Sequence, residues 1–321
     1  MRRKCCILYN NPAADAEADE LDVLDQVALV EDNLKRMGID TYRKGITMNF
    51  LNEIEEIKMT APDFVFNLVE SINNKGRLIY FAPAIMSLSD LRYTGCPLEA
   101  IFITSNKQLA SGILNMSGIK TPFSVGANET ANLHYGRKYI LKPVWEDGSA
   151  GISAESVFTW SPGDETRLND LKSSDWLIEE FIDGREFNIS MFSGKNGPVV
   201  LPPAEIEFRD WVPGKPRIVD YKAKWVPESH EYRNSVRVFP RDINSSGLDA
   251  KLRDICLRCW TSLRLRGYAR IDIRCDQNSV PYVLEVNANP CISPDSGFIA
   301  ACAEGGYDLE EVFQGIVNDL N

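Results

Sequence analysis

Two segments near the end of the chain carry acidic and amide side chains at alternating positions. Residues 268–274 read YARIDIR and residues 282–296 read YVLEVNANPCISPDS. Alternate side chains of a β-strand share one face, so two neighbouring strands would bring Asp272, Glu285 and Asn287 onto one surface. Three oxygen ligands of this kind suit a hard cation such as Mg²⁺ that is shared with substrate phosphates.

The end of the second segment favours a metal site over a plain strand surface. Arg270 adds a fixed positive charge on the same face, and RIDIR alone fits a solvated ladder of ion pairs better. Asn287, however, lies just before the point where Pro290 ends the strand, which places metal-type ligands at a strand terminus. Leu284 and Val286 are expected to face a core.

The first part of the chain predicts a small parallel sheet covered by helices. Apolar runs at 5–9, 39–43 and 64–68 are typical of strands, and helical spacing of apolar residues recurs over 21–37 and 50–58. This β-α-β-α-β alternation is typical of an α/β domain. Ligands of open α/β sheets bind at the carboxyl ends of the strands, where Glu70 is expected. A surface loop carboxylate is an equally good interpretation of Glu70.

A second group of elements follows, and it carries two lysines and a glycine loop. Thr104 and Ser105 are predicted to cap a helix over 106–116 that Lys107 opens, with a domain boundary near 103–105. Lys142 lies in a strand, and a loop containing Gly148, Ser149 and Gly151 follows it. The backbone N–H groups of such a loop can surround phosphate oxygens, although a plain hairpin turn has the same composition.

The next strand ends in a run of carboxylates beside apolar residues. Glu179 and Glu180 precede Phe181 and Ile182, and Glu186 begins the following strand after an Asp-Gly turn. These residues could bind the base and ribose of a nucleotide, or they could be charges on an edge strand. Residues 208–240 are polar and turn-rich and contain tryptophans, which favours a lid over a disordered linker.

Composition bounds the function. The 321 residues are enough for two or three domains, and the net charge of −11 with a pI near 4.9 argues against nucleic acid or an anionic membrane as partner. The apolar run at 5–9 is too short for a signal peptide, so a cytoplasmic location is expected.

Cys256 and Cys259 form a lone CxxC in an apolar-periodic helix and are interpreted as core. The two histidines lack a catalytic context, which disfavours nucleophilic catalysis.

The order of these motifs resembles the ATP-grasp superfamily, and within it the D-alanine–D-alanine ligase-like enzymes. The resemblance implies a Rossmann-like substrate domain over 1–103, a central ATP-grasp subdomain over 104–183 and a C-terminal subdomain over 184–321 that carries the metal and substrate sites. The fold would combine an α/β domain with two α+β subdomains that hold ATP between them. It also implies two Mg²⁺ ions, with Mn²⁺ as an alternative, amino-acid-like substrates and a homodimer.

The resemblance assigns roles to individual residues. It makes Arg270, Lys224 and Ser149 catalytic and Asp272, Glu285 and Asn287 the metal ligands. The residues implied to bind ATP are Lys107, Lys142, Ser149, Glu179, Glu180, Phe181, Ile182, Glu186 and Lys224. The residues implied to contact substrate are Glu70, Trp225, Arg270, Ser296 and Gly297.

The implied activity is ATP-dependent ligation of a carboxylate to an amine through an acyl phosphate. The departures from the family pattern lie on the substrate side: residues 10–12 replace a glycine-rich motif with its glutamate, Glu70 replaces a histidine, and Trp225 replaces a tyrosine. We therefore predict a ligase that joins two amino acids, or an amino acid and a small carboxylate. D-alanine–D-alanine ligase proper, an ATP-grasp kinase and a nucleotide-binding protein are the alternatives.

Overall fold

The computed structural model describes residues 2–12, 18–73, 75–146, 148–168 and 170–321, and the structural statements below concern these residues. The strands are β1 (Lys4–Asn10), β2 (Asp40–Ile46), β3 (Phe64–Leu68), β4 (Ser124–Gly126), β5 (Lys138–Pro143), β6 (Val157–Thr159), β7 (Trp176–Glu180), β8 (Arg185–Gly194), β9 (Gly197–Val200), β10 (Ala204–Phe208), β11 (Ser235–Val238), β12 (Tyr268–Cys275) and β13 (Pro281–Asn287).

Helices connect and cover these strands. They are α1 (Ala18–Arg36), α2 (Phe50–Thr60), α3 (Phe81–Leu88), α4 (Leu98–Ser105), α5 (Lys107–Met116), α6 (Glu165–Leu168), α7 (Tyr221–Trp225), α8 (His230–Asn234), α9 (Asp242–Ser245), α10 (Leu248–Ser262), α11 (Gly297–Glu304) and α12 (Leu309–Asn318). Within the described ranges, each helix is too short or too polar to cross a lipid bilayer.

The N-terminal strands form a parallel sheet in the order β2-β1-β3, as the alternation of strands and helices predicts. Cys5 and Ile7 of the central strand pack against α1, while Cys6 and Leu8 pack against α2 on the other face. A continuous apolar run is expected for a parallel strand that is buried on both faces.

A large antiparallel sheet has the order β11-β10-β8-β12-β13, with β9 pairing to β8 as well. Its two faces differ, because strand residues alternate. Phe187, Ile189, Ile271 and Ile273 lie in a core with α10. The opposite face carries the polar residues of β8, β12 and β13 and is called the cleft face below.

A smaller antiparallel sheet has the order β4-β7-β5-β6. Tyr139 and Ile178 belong to its own core on one face. Lys142 and Glu179 lie on the other face, because Ile140 pairs directly with Glu179 and Lys142 with Leu177.

The helix that begins at Lys107 has a different cap from the one predicted. Thr104 and Ser105 belong to the last turn of α4, and the Asn106 side chain caps α5 by accepting a hydrogen bond from Leu109 N at 2.9 Å. Ala100 of α4 packs in the core of the six-stranded sheet. The predicted domain limits at 103/104 and 183/184 stay predictions; the second falls between β7 and β8, which belong to different sheets.

The polar stretch predicted as a lid contains two short helices and an edge strand. Asp220 caps α7 by accepting a hydrogen bond from Ala223 N, and Ser229 caps α8 in the same way through Tyr232 N. The chain then returns as β11 and pairs with β10. Hydrogen-bonded capping side chains and the two tryptophans explain why this polar segment is folded.

Buried cysteines behave as core residues. Cys256 and Cys259 on α10 are both 0% exposed and lie in the core beneath the six-stranded sheet, which confirms their interpretation as core. Burial raises the pKa of the Cys259 thiol to about 12, so this thiol is neutral near neutral pH.

Candidate functional site

The predicted acidic surface exists on β12 and β13. In this antiparallel pair Asp272 lies opposite Glu285 and Arg270 lies opposite Asn287, so their side chains share the cleft face. The row continues into β8, where Asn188 pairs with Asp272. The predicted arrangement of these residues on one surface is therefore observed.

A β-bulge changes one detail of this surface. The register shifts between Asp272 and Ile273, so that Val283 and Val286 are the residues of β13 that enter the core. The prediction that Leu284 faces the core is wrong, because the extra residue at the bulge restarts the alternation. Leu284 and Glu285 both line a small space beside α5.

Arg270 is held against the acidic pair. Its guanidinium donates to both oxygens of Asp272 at 2.8 and 2.7 Å and lies 3.8 Å from Glu285 Oε1. Asn188 Nδ2 donates to Asp272 Oδ1 at 2.9 Å. Burial raises the pKa of Asp272 to about 6, although Arg270 opposes this shift. Nearby positive charges therefore help to keep the buried Asp272 carboxylate ionised.

Lys107 connects helix α5 to the same acidic pair. Its side chain is 4% exposed, and Nζ lies 3.7 Å from Glu285 Oε2 and donates to the Glu146 carbonyl at 2.5 Å. Its backbone N–H donates to Val144 O at 3.1 Å, which fixes the start of α5 beside the end of β5. Burial opposes ionisation of Glu285, but Lys107, Arg270 and further lysines keep its pKa below the usual value.

Lys142 and Glu179 form a buried ion pair on the facing sheet. Lys142 Nζ lies 2.5 Å from Glu179 Oε1, and the two side chains are 10% and 7% exposed. The positive charge of Lys142 also helps to lower the pKa of Glu285, so the two sheets face each other across this site. Glu180 lies on the opposite face of β7, where it pairs with Arg137 at 2.9 Å near the surface.

The glycine loop and the lid contact each other. Ser149 Oγ donates to Val219 O at 2.6 Å, and Trp225 Nε1 donates to Gly148 O at 3.2 Å. Gly148 and Ser149 both have positive φ values, of 68° and 66°. A tight left-handed turn is what allows this loop to approach the lid so closely.

Lys224 of the lid points into the site between these parts. Burial lowers its pKa, the charge of Arg270 lowers it further, and Glu285, Asp272 and Glu70 act in the opposite direction. These charge effects show that Lys224 and Glu70 both lie within electrostatic reach of the acidic pair. The lysines from the helix, the strand and the lid therefore converge on one place.

Of the residues predicted around the nucleotide base, Phe181 lines a cavity of about 430 Å³. This cavity separates the smaller sheet from the loop before α7. Its wall includes Lys138, Thr159, Phe181, Asp183, Trp211 and Arg217. Glu186 and Ile182 are engaged by Arg274, which donates to the Glu186 carboxylate at 2.9 and 2.6 Å and to the Ile182 carbonyl at 2.9 Å. No functional role was predicted for Arg274 from the sequence.

Glu70, predicted to contact substrate, lies two residues after the end of β3. Its Oε1 accepts from Gln26 Nε2 at 2.9 Å, and its backbone N–H donates to Asn10 Oδ1 at 2.7 Å. Gln26 Oε1 in turn accepts from the backbone of Ile292 at 3.2 Å. These contacts tie Glu70 to the segment that follows β13. Residues 10–12 were noted as a departure on the substrate side, but no local pattern pointed to Gln26.

Ser296 and Gly297 form the beginning of α11. Ser296 caps the helix by accepting a hydrogen bond from Ile299 N, so the first backbone N–H groups of α11 are oriented toward this end. Arg237 of β11 donates to the carbonyls of Asp295 and Ser296 at 3.2 and 3.3 Å. A cation and a helix N-terminus together are suited to a carboxylate.

The donor set fits a divalent cation that arrives with a phosphate. Asp272, Glu285 and Asn287 supply two carboxylates and an amide oxygen, although no cluster of three or more His, Cys, Asp or Glu occurs in the described ranges. The positive charges of the three converging lysines and Arg270 are matched by Glu70, Glu179 and the acidic pair. A triphosphate added to this balanced site needs metal cations of its own.

Comparison with known proteins identifies the family. A family model described as D-ala D-ala ligase C-terminus matches residues 127–318. An uncharacterised protein, y4sG, from Sinorhizobium fredii is 28% identical over 79% of this chain and 73% of its own length. The D-alanine–D-alanine ligase of Aquifex aeolicus is 25% identical over 88% of this chain and 90% of its own length.

A solved structure shows the same fold. The VanG D-Ala:D-Ser ligase of Enterococcus faecalis superposes with a TM-score of 0.76 over 99% of both chains, at 17% identity. The ATP-grasp fold and the enzyme class of ATP-dependent carboxylate–amine ligase, both predicted from the sequence, are confirmed. Because the family model covers more than half of its residues, this chain belongs to the D-alanine–D-alanine ligase family of ATP-grasp enzymes.

Proposed function

We propose that this protein joins the carboxylate of one amino acid to the amine of a second, with ATP as the source of energy. The observation that carries the proposal is the convergence of Lys107, Lys142, Lys224 and Arg270 on the opposed carboxylates Asp272 and Glu285. Four cations around two acids suit a triphosphate with its metal ions.

In this proposal the phosphate end of the nucleotide lies between the six-stranded sheet and the smaller antiparallel sheet. Asp272, Glu285 and Asn287 would hold two Mg²⁺ ions, which neutralise phosphate charge when bound. Arg270 then exchanges its contacts with Asp272 for contacts with the reacting oxygens. The contacts of the glycine loop with the lid at Ser149 and Trp225 exclude water from this space.

The proposed chemistry needs charge stabilisation rather than a protein nucleophile. The acid substrate's carboxylate oxygen attacks the γ-phosphorus, and ADP leaves. The amine then attacks the acyl carbon, loses a proton, and expels phosphate that carries the former carboxylate oxygen. Arg270 would stabilise the negative charge of the tetrahedral intermediate, and Lys224 that of the transferred phosphoryl group.

Glu70 is proposed to bind the ammonium group of the acid substrate. It lies at the carboxyl end of β3, within electrostatic reach of Lys224, and Asn10 and Gln26 fix its position. A fixed carboxylate favours a cationic amino group and disfavours an acid that lacks one. Ser296 and Gly297 are proposed to bind the carboxylate of the second amino acid, with Trp225 closing the site.

A product screen tests the proposal. Protein, ATP and Mg²⁺ are incubated with pooled L- and D-amino acids, and mass spectrometry searches for a mass equal to two substrates minus water while ADP is quantified. We expect such a product, its loss in Glu285→Ala and its retention in Glu310→Ala, which removes an exposed carboxylate on α12.

Other outcomes of the screen would either contradict the proposal, as a kinase product would, or name the two substrates. A phosphorylated product with ADP and without condensation would identify a kinase. D-alanyl-D-alanine as the product would identify D-alanine–D-alanine ligase proper. For Glu70, the expected result is a higher KM for the acid substrate in Glu70→Gln, and an unchanged KM would remove it from the site. A homodimer and a cytoplasmic location stay predictions.

A further inference from the structure

Arg274 joins three separate parts of the nucleotide side of the site. Its side chain is 4% exposed and lies on the cleft face of β12. It donates to the Glu186 carboxylate on β8, to the Ile182 carbonyl in the linker between the sheets and to the Arg217 carbonyl in the segment 208–240 that is predicted as a lid. Its guanidinium also lies 5.1 Å from the centre of the Phe181 ring.

The contacts with Glu186 are one-sided. Arg274 Nε and Nη2 both donate to Glu186 Oε2, at 2.9 and 2.6 Å. Among the described residues, no donor contacts the other carboxylate oxygen, Oε1. The Glu186 side chain is itself only 11% exposed and shares the cleft face with Arg274. One oxygen of a buried carboxylate is thus fixed by the protein and the other is left to accept a ligand's hydrogen bond.

We propose that Arg274 is a positioning residue for nucleotide binding: it orients Glu186 so that Oε1 accepts a hydrogen bond from a ribose hydroxyl. The inference rests on the proposed function, in which Glu186 contacts the ribose. Arg274 does not contact the nucleotide in this arrangement. It acts through Glu186, and its hydrogen bonds to the Ile182 and Arg217 carbonyls fix the position of that carboxylate relative to the linker and to the predicted lid.

An arginine is suited to this position for a geometric reason. Its planar guanidinium offers donors in a fixed fork, so it can hold Glu186, the linker carbonyl and the lid carbonyl at once. A lysine ammonium keeps the charge but is a single point donor on a flexible stem. A methionine keeps the length and removes both the charge and the donors, which leaves Glu186 as an unpaired buried carboxylate.

The test compares Mg-ADP with Mg-2′,3′-dideoxy-ADP, which lacks the ribose hydroxyls, by titration calorimetry. We expect wild-type protein to bind ADP at least about tenfold more tightly, as one charge-assisted hydrogen bond would give. Arg274→Met should reduce this ratio to nearly one, and Arg274→Lys should give an intermediate ratio. If Arg274 had a purely structural role, its variants would bind both nucleotides more weakly by the same factor, and the ratio of the two affinities would be unchanged.

Arg185→Met is the matched control. Arg185 also makes a forked ion pair, with Glu205 at 2.7 and 2.6 Å, and lies 5.2 Å from the Phe187 ring centre. It pairs with Cys275 and so lies on the face away from the cleft. The control should lose stability and keep the full ratio.

The outcomes separate this inference from the proposed function. Wild-type protein that binds neither nucleotide would refute the proposed function. Wild-type protein that binds both equally, or variants at Arg274 that keep the full ratio, would overturn the positioning role alone. Because Arg274→Lys retains the positive charge beside Glu186, it should fold, and the ratio of its two nucleotide affinities tests the positioning role even where Arg274→Met does not fold.

Discussion

Replacing Lys142 by Met should separate the stability of the fold from nucleotide binding. The change removes the cation that pairs with Glu179. The Glu179 carboxylate, whose side chain is 7% exposed, is then left without that partner. An unpaired buried charge of this kind costs about 3–5 kcal/mol. The double variant Lys142→Met with Glu179→Leu removes both charges and should recover stability to within about 1–2 kcal/mol of wild type, because an apolar pair can replace a buried ion pair.

Nucleotide binding should not recover with stability. If Lys142 contacts phosphate and Glu179 contacts the base, the double variant lacks both contacts and should bind Mg-ADP at least about tenfold more weakly, which is the effect of losing one charge-assisted hydrogen bond. Urea unfolding followed by tryptophan fluorescence measures the first effect, since Trp160 lies buried in the core of the same sheet. Titration calorimetry measures the second.

Two results would refute this reasoning. A single variant as stable as wild type would show that the Lys142–Glu179 pair is not buried as described. A double variant that is stable and binds Mg-ADP with wild-type affinity would show that Lys142 is not a phosphate contact.

Three further perturbations have defined outcomes. Burial opposes ionisation of Asp319, but hydrogen bonds that include those from Arg266 at 2.8 and 2.5 Å lower its pKa. Asp319→Asn should therefore lower the free energy of unfolding by about 2–3 kcal/mol at pH 7. This difference from wild type should vanish as the pH falls below 3.8 and through the lowered pKa of Asp319. Equal unfolding midpoints at pH 7 would contradict it. Gly184→Ala should destabilise the linker between the sheets strongly, because a Cβ there would lie 1.9 Å from the Cys275 carbonyl oxygen; a normal thermal midpoint would be the opposing result. Burial lowers the pKa of Lys224, so kcat/KM should fall on the alkaline side at a pH below the usual lysine value of 10.5, and Lys224→Arg should move that limb upward. An unmoved limb would exclude Lys224 as its source.

Much of this architecture follows from local patterns. The alternation of strands and helices predicted the parallel sheet, and the period of two along β12 predicted that Arg270, Asp272 and Arg274 share a face. The opposition of Asp272 and Glu285 followed once both segments were interpreted as neighbouring strands. Periodicity is reliable here because each of these strands has a core on its other face.

The features that were predicted wrongly or not at all depend on contacts between segments that are distant in the sequence or on how neighbouring elements pack. The bulge at Leu284 depends on how two strands pair, and it reverses which side chains enter the core. The cap of α5 moved to Asn106 because the preceding residues extend α4. The partners of Glu70 and Arg274 come from segments distant in sequence, so their contacts appear only when the sheets are assembled.

The most direct test of the central claim follows oxygen atoms through the reaction. The amino acid pool is supplied with both carboxylate oxygens as ¹⁸O, together with ATP and Mg²⁺, and mass spectrometry analyses phosphate and product. An acyl phosphate mechanism predicts one ¹⁸O in the released phosphate and one retained in the new amide. Unlabelled phosphate would show that water attacks ATP, and a phosphoryl group that stays on the product would show that a hydroxyl is phosphorylated. Either result would contradict the assignment of these residues to carboxylate–amine ligation.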